Sequence, residues 1–177
     1  MRWNKLSKYN LWSSVVLLLI LTSSIVMAQD GTLRRIRVPI LMYHYVGELP
    51  EEPDDIRVNL TLAPDVFRQH LAYLQGEGYT SISLYDLHDA LENGAELPEK
   101  SIILTFDDGY TDHYGNVFPM LEEYGFKGTF FLVTDFLDRN LPGYMSWEQA
   151  QEIDRAGHFV EPHTKTHPNL QEKPLAY

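Results

Sequence analysis

Five short strand-like runs, alternating with segments that carry helix signals, constrain this chain more than any other feature. The runs are Arg37–Tyr43, Tyr79–Ile82, Ser101–Phe106, Lys127–Val133 and His158–Glu161. The first is apolar and unbroken, as strands buried on both faces tend to be. Between the runs lie helix signals. Pro64 suits a first helical turn, Phe67, Leu71 and Leu74 share one face, and Gly76 and Gly78 close the segment. Ser83 with Asp86 three residues on resembles a capping box for a helix running through Leu87 and Leu91 to Gly94. A further helix carries Met120, Leu121 and Tyr124 and stops at Gly125; Ser146 with Gln149 opens another that stops at Gly157. Strands alternating with helices of this length predict a parallel sheet joined by helical crossovers. Five strands can complete an open doubly wound sheet, whereas a barrel needs more. In either architecture, functional groups belong at the C-terminal ends of the strands.

The first 28 residues have a different character. Arg2, Lys5 and Lys8 precede an apolar stretch centred on Val15–Leu21, and Val26-Met27-Ala28 offers a cleavage site. This pattern predicts a secretory signal peptide over residues 1–28. An uncleaved anchor over residues 11–28 is the other reading, at the lower limit of a membrane span. Either one places the remainder outside the cytoplasm, secreted or tethered, with membrane contact through this segment alone. Residues 29–36 read as a linker and 37–177 as a single domain. All 25 acidic residues follow residue 28, against 14 basic residues in the whole chain. So acidic a domain repels phosphate backbones, which argues against a nucleic-acid partner. There is no cysteine, hence no disulfide and no thiolate metal site. Residues 45–61, with Gly47, Pro50, Pro53 and the acids Glu51, Glu52, Asp54 and Asp55, read as a solvated loop without calcium-loop spacing.

Two strand ends carry chemistry. Ser101–Phe106 runs directly into Asp107-Asp108-Gly109, and the run ending at Glu161 leads into His163 and His167. On turn preferences alone the Asp pair is a turn, and the His pair alone is a solvated surface segment. Four residues apart, however, two imidazoles on one helical turn can face one point. Two histidines and one carboxylate leave a coordination position open, as a catalytic metal site requires. One acid can then bind the metal while its neighbour accepts a proton from water activated there. A phosphatase of the haloacid dehalogenase type needs a D-x-D arrangement, which the adjacent acids do not provide.

TFDDG (Thr105–Gly109) followed by HTKTH, with His163 55 residues after Asp108, resembles the first two motifs of the polysaccharide deacetylases, the NodB-homology or carbohydrate esterase family 4 enzymes. PILMYHYVG (39–47), FPMLEEYGFKGTFFLV and YMSWEQAQEIDRAGH are similar to the bacterial members that act on cell-wall or exopolysaccharide N-acetylglucosamine. The resemblance implies a distorted (β/α) barrel and a hydrolase that removes N-acetyl groups from a polysaccharide. It implies Asp107 as the general base and Asp108, His163 and His167 as ligands of a divalent metal, usually zinc, which polarises the acetamide carbonyl. Tyr110 and His44 are expected to line the substrate site, each against the plainer reading of a packing residue. Two departures stand out. Glu161-Pro162 replaces the family's Gly-Ser before the first metal histidine, and proline removes a backbone donor and fixes φ. An Arg-Pro segment, an aromatic groove wall and a Leu-x-His general acid are missing before Tyr177. On this reading the domain is the N-terminal portion of the barrel, truncated at its C-terminus. A non-catalytic glycan-binding module or remnant is the competing expectation. His70, His88 and His113 read as helix-surface or groove residues without a role, and Trp147 is expected to pack rather than to form a sugar platform.

Overall fold

The computed structural model of the chain describes residues 33–173. The expected export segment 1–28, the first four linker residues and the last four residues of the chain lie outside the described residues. The order of elements is β1 (Ile40–Tyr43), β2 (Tyr45–Val46), α1 (Asp55–Leu60), β3 (Thr61–Leu62), α2 (Pro64–Gly76), β4 (Thr80–Ser81), α3 (Leu84–Asn93) and β5 (Ser101–Phe106). Then follow a π-helical turn (His113–Val117), α4 (Phe118–Tyr124), β6 (Thr129–Leu132), α5 (Thr134–Asp138), α6 (Trp147–Arg155), β7 (Phe159–Pro162) and a 3-10 turn (Leu170–Glu172). Among the described residues every pairing between these strands is parallel. The expected α/β class is therefore what the chain adopts, in a main sheet of five strands whose path runs β1-β5-β6-β7. Among the described residues no helix is long and apolar enough to cross a membrane.

β5 is central. It pairs with β1 over Ile103–Phe106, with β4 over Ser101–Ile102 and with β6 over Thr105–Phe106. All six of its residues are buried, which explains a run with no polar alternation. β1 is equally apolar but alternates between half-buried and exposed, with Met42 63% exposed. It ends the sheet path, so the double-faced burial expected of it does not occur.

The helices form where their caps dictate. α2 begins with Pro64 in its first turn and buries Phe67, Leu71 and Leu74. α3 has the full Ser83–Asp86 capping box and stops at Gly94 in the left-handed region. Ser146 and Gln149 make the same box for α6. These helices cover a core of stacked rings: Phe106 lies 5.0 Å from Phe130 and 5.4 Å from Tyr43, with Phe67 edge-on at 5.8 Å. Gly128 is required here, because a Cβ would stand 2.7 Å from the Phe106 ring. Emptying the Phe106 position would cost about 3–5 kcal/mol.

The 45–61 segment is more ordered than its composition predicts. Asp54 caps α1 by accepting from the Arg57 amide at 2.7 Å, and β2 pairs with β3. One of the acids taken as solvated is thus a helix cap. Since all strands run parallel, the ends of β1, β5, β6 and β7 fall on one edge of the sheet, and the chemistry gathers there.

Candidate metal centre and active site

Asp107 continues the β5 ladder, donating its amide to the Tyr43 carbonyl at 2.9 Å. Asp108 then turns into the left-handed region, with φ 73°, and Gly109 follows at 77°. Aspartate tolerates this region better than most residues, at some conformational cost. The reversal makes adjacent carboxylates diverge. Asp107 Oδ2 faces His44 Nε2 at 3.9 Å, and Asp108 Oδ1 faces Nε2 of His163 at 3.5 Å and of His167 at 3.4 Å. Burial pushes the Asp107 carboxyl above the ordinary carboxylate range, against the pull of His163 and His44.

The two imidazoles do not share a helical turn, as their spacing suggested. His163 follows directly on β7, its amide donating to the Leu132 carbonyl at 2.7 Å. Thr164 and His167 both have positive φ, 62° and 51°, and the His167 amide donates to Thr164 Oγ1 at 3.0 Å. This tight turn, rather than a helix, brings the ring centres to 5.1 Å. α5 holds it in place, Asp135 donating its amide to the Lys165 carbonyl at 2.9 Å. Pro162 pairs opposite Leu132 at the end of β7 and leaves the His163 bond intact.

The three side chains fit a divalent cation. One ligand atom from each of Asp108, His163 and His167 lies within 4.8 Å of the others. Ligands about 2.1 Å from a tetrahedral zinc stand roughly 3.4 Å apart, close to both Asp108–His separations. Asp108 Oδ1 is moreover buried without a hydrogen-bond partner, an expensive state for a carboxylate unless a cation answers it. Its other oxygen is satisfied, accepting from the Tyr110 hydroxyl at 2.8 Å. Tyr110 is therefore more than a wall: it orients a member of the trio from outside it. Burial foremost, with bonds to Tyr45 and Asp108, keeps its hydroxyl protonated.

His44 stands beside Asp107 and lines the same recess as Asp108, Tyr110 and His167, a cavity of about 420 Å³. His113 lies not on a helix surface or in a groove but in the interior. It is fully buried, its Nε2 bonds the His44 carbonyl, and burial lowers its pKa to about 4. Trp147 is 37% exposed and donates to Asp138 at 2.9 Å, so it does not pack in the core. Sequence reasoning missed Tyr45 and Tyr144, which flank Tyr110 with ring centres at 3.8 and 5.2 Å. No spacing in the sequence signals that stack, because its members lie on three separate segments, one of them β2.

The known proteins to which this chain is similar are named as deacetylases. Residues 94–176 match the family model described as polysaccharide deacetylase. The Bacillus subtilis protein YxkH, named for the same family, is 30% identical over 134 residues, covering 76% of this chain and 44% of that protein. The poly-beta-1,6-N-acetyl-D-glucosamine N-deacetylase of Escherichia coli K12 is 27% identical over 110 residues, 55% of this chain and 16% of that enzyme. Among solved structures, the Streptococcus pyogenes deacetylase PplD in complex with acetate superposes with a TM-score of 0.70 at 29% identity, covering 78% of this chain and 61% of that one. The chain thus spans less than half the length of these two sequence relatives. Two acids at the end of β5 and two histidines after β7 lie within residues 94–176, over which this chain is similar to the polysaccharide deacetylase family.

Proposed function

We propose that this chain hydrolyses the N-acetyl groups of an extracytoplasmic, N-acetylglucosamine-type polysaccharide at a divalent metal, zinc being the best match to the ligand set. One observation carries the reading: the buried, unpartnered Asp108 Oδ1, facing two imidazole nitrogens at metal-ligand separation, with a second carboxylate beside it. Asp108, His163 and His167 would hold the cation. When bound, it supplies Lewis acidity to an acetamide carbonyl and lowers the pKa of water. Asp107 accepts the proton that the attacking water loses, and burial raises its basicity for that task. His44, 3.9 Å away, steadies the Asp107 carboxylate. Tyr110 holds Asp108 in its ligating orientation. Water and acetamide become acetate and a free amine. Export through residues 1–28 brings the site to a substrate outside the cytoplasm.

Acetate release from N-acetylglucosamine oligomers, measured with added zinc and with chelator, tests the reaction. Metal-dependent release that collapses in Asp107→Asn supports it; release unchanged in that variant would overturn the role of the base. Binding of the same oligomers without any acetate release would favour a glycan-binding module.

A further inference from the structure

His44 joins β1 to β2, and Tyr45 opens β2. Both side chains reach the acids at the end of β5. His44 Nε2 faces Asp107 Oδ2 at 3.9 Å, and Tyr45 stacks at 3.8 Å on Tyr110, whose hydroxyl bonds Asp108. The backbone that carries these two side chains is held by three others, in and just before the π-helical turn. His113 Nε2 bonds the His44 carbonyl, Asp112 Oδ2 accepts from the Val46 amide at 3.1 Å, and Asn116 donates its side-chain amide to the Val46 carbonyl at 2.7 Å. π-helical turns are rare and frequently mark functional sites.

His113 is the unusual member of the three. It has no exposed surface and sits among the rings of Phe106, Tyr110 and Phe130, with centres at 5.7, 5.7 and 6.0 Å. A carbonyl only accepts, so Nε2 carries the proton that bonds His44. Burial keeps the ring uncharged, which makes Nδ1 a bare acceptor, and it is buried without a partner. An unmatched buried acceptor costs roughly 1–3 kcal/mol. A phenyl ring would fill the same apolar surroundings without an orphaned nitrogen. What the imidazole adds is one donor to one carbonyl, and that carbonyl belongs to the residue whose side chain stands beside the base.

We propose that His113 is a positioning residue for the hydrolytic centre: its Nε2–H holds the His44 carbonyl and so sets the His44 imidazole against Asp107. The inference rests on the assignment of Asp107 as the base. Asp112 and Asn116 grip Val46 independently of His113. Tyr45, and through it the Tyr110–Asp108 arm, should therefore stay in place when His113 is changed.

The first test needs no metal. Nitrogen-15 NMR of the metal-free full-length chain at neutral pH should find the His113 proton on Nε2 and slow to exchange; a proton on Nδ1 overturns the proposal. The second is a double-mutant cycle on acetate release from N-acetylglucosamine oligomers by the zinc-loaded chain. His113→Phe should lower kcat about 10–100-fold, the scale of a displaced catalytic group, with zinc affinity unchanged. In a His44→Ala background the same substitution should change kcat by less than about twofold, because a residue acting through His44 has nothing left to position. His113→Gln, which keeps an amide donor near the Nε2 position, should retain most of the native rate. Equal losses in the two backgrounds show a merely structural part and overturn the proposal, as does a native rate in His113→Phe. If His113→Phe does not fold, His113→Asn, whose shorter amide falls short of the carbonyl, replaces it in the same cycle. A native chain that releases no acetate brings down the deacetylase reading and this inference with it; every other outcome bears on His113 alone.

Discussion

Replacing Asp108 by asparagine separates two properties that the native carboxylate combines. Oδ2 accepts from the Tyr110 hydroxyl at 2.8 Å, whereas Oδ1 is buried without a partner in front of two imidazole nitrogens. Asparagine tolerates the same positive φ and keeps an acceptor for Tyr110. At the other position it presents an amide N–H, which an imidazole nitrogen can accept. An unmatched buried acceptor costs roughly 1–3 kcal/mol. With chelator present, Asp108→Asn should therefore stabilise the chain by about that amount. For a chain of this size each kcal/mol moves Tm by roughly 2–4 °C, so the expected rise is about 2–12 °C. Zinc reverses the order. At a hundred times its Kd a ligand adds about 2.7 kcal/mol to the native state, and the neutral amide forfeits that gain. The variant should melt higher in chelator and the native chain higher in zinc, both followed by far-UV circular dichroism. A variant that melts below the native chain in chelator refutes the argument from the unpartnered oxygen. A variant that gains as much from zinc as the native chain refutes the ligand assignment.

Further outcomes follow from the same geometry. Tyr110→Phe removes the bond that orients Asp108 and should weaken zinc affinity about 10–100-fold, measured by competition with a chelating dye. Gly109→Ala places a Cβ 2.9 Å from Leu132 Cδ2 at a φ of 77°; strain and crowding together should cost about 2–4 kcal/mol in urea unfolding. His113, held neutral by burial with a pKa near 4, binds its proton more readily in the unfolded chain, whose imidazole titrates near 6.5. It makes stability fall as pH drops from about 6.5 to 4. Asp112, raised to about 6 mainly by burial, acts with the opposite sign: the folded chain holds the extra proton, so stability rises as pH drops from about 6 to 4. Asp112→Asn should therefore steepen the acid loss, seen as a larger drop in the urea midpoint between pH 7 and 4.5; an unchanged pH profile would refute the assignment.

Much of the architecture is legible one segment at a time. Pro64 with Phe67, Leu71 and Leu74, closed by Gly76, specifies α2, and the Ser83–Asp86 and Ser146–Gln149 boxes specify two helix starts. The run from Ser101 to Phe106 coincides with β5. These signals succeed because caps and periodicity report interactions among residues a few positions apart. The same locality explains the failures. The acids of 45–61 read as solvent-exposed loop, although Asp54 caps α1, because a short helix leaves little periodicity to read. β1 is as apolar as β5, and only its place at the end of the sheet path leaves Met42 in solvent.

At the site the division is sharper. By itself the sequence determined that two acids end one strand and two histidines follow another, and parallel connectivity put those ends on one edge. Only the tertiary structure decided which carboxylate faces the histidines, since that depends on the left-handed turn at Asp108 and on the turn through Thr164 and His167. It alone placed Tyr110 on Asp108 and buried His113 beneath His44. The physical reason is shared. Most depend on groups from different segments of the chain meeting within hydrogen-bond or ion-pair range, and such meetings are settled by packing across the sheet, not by the order of neighbours along the chain.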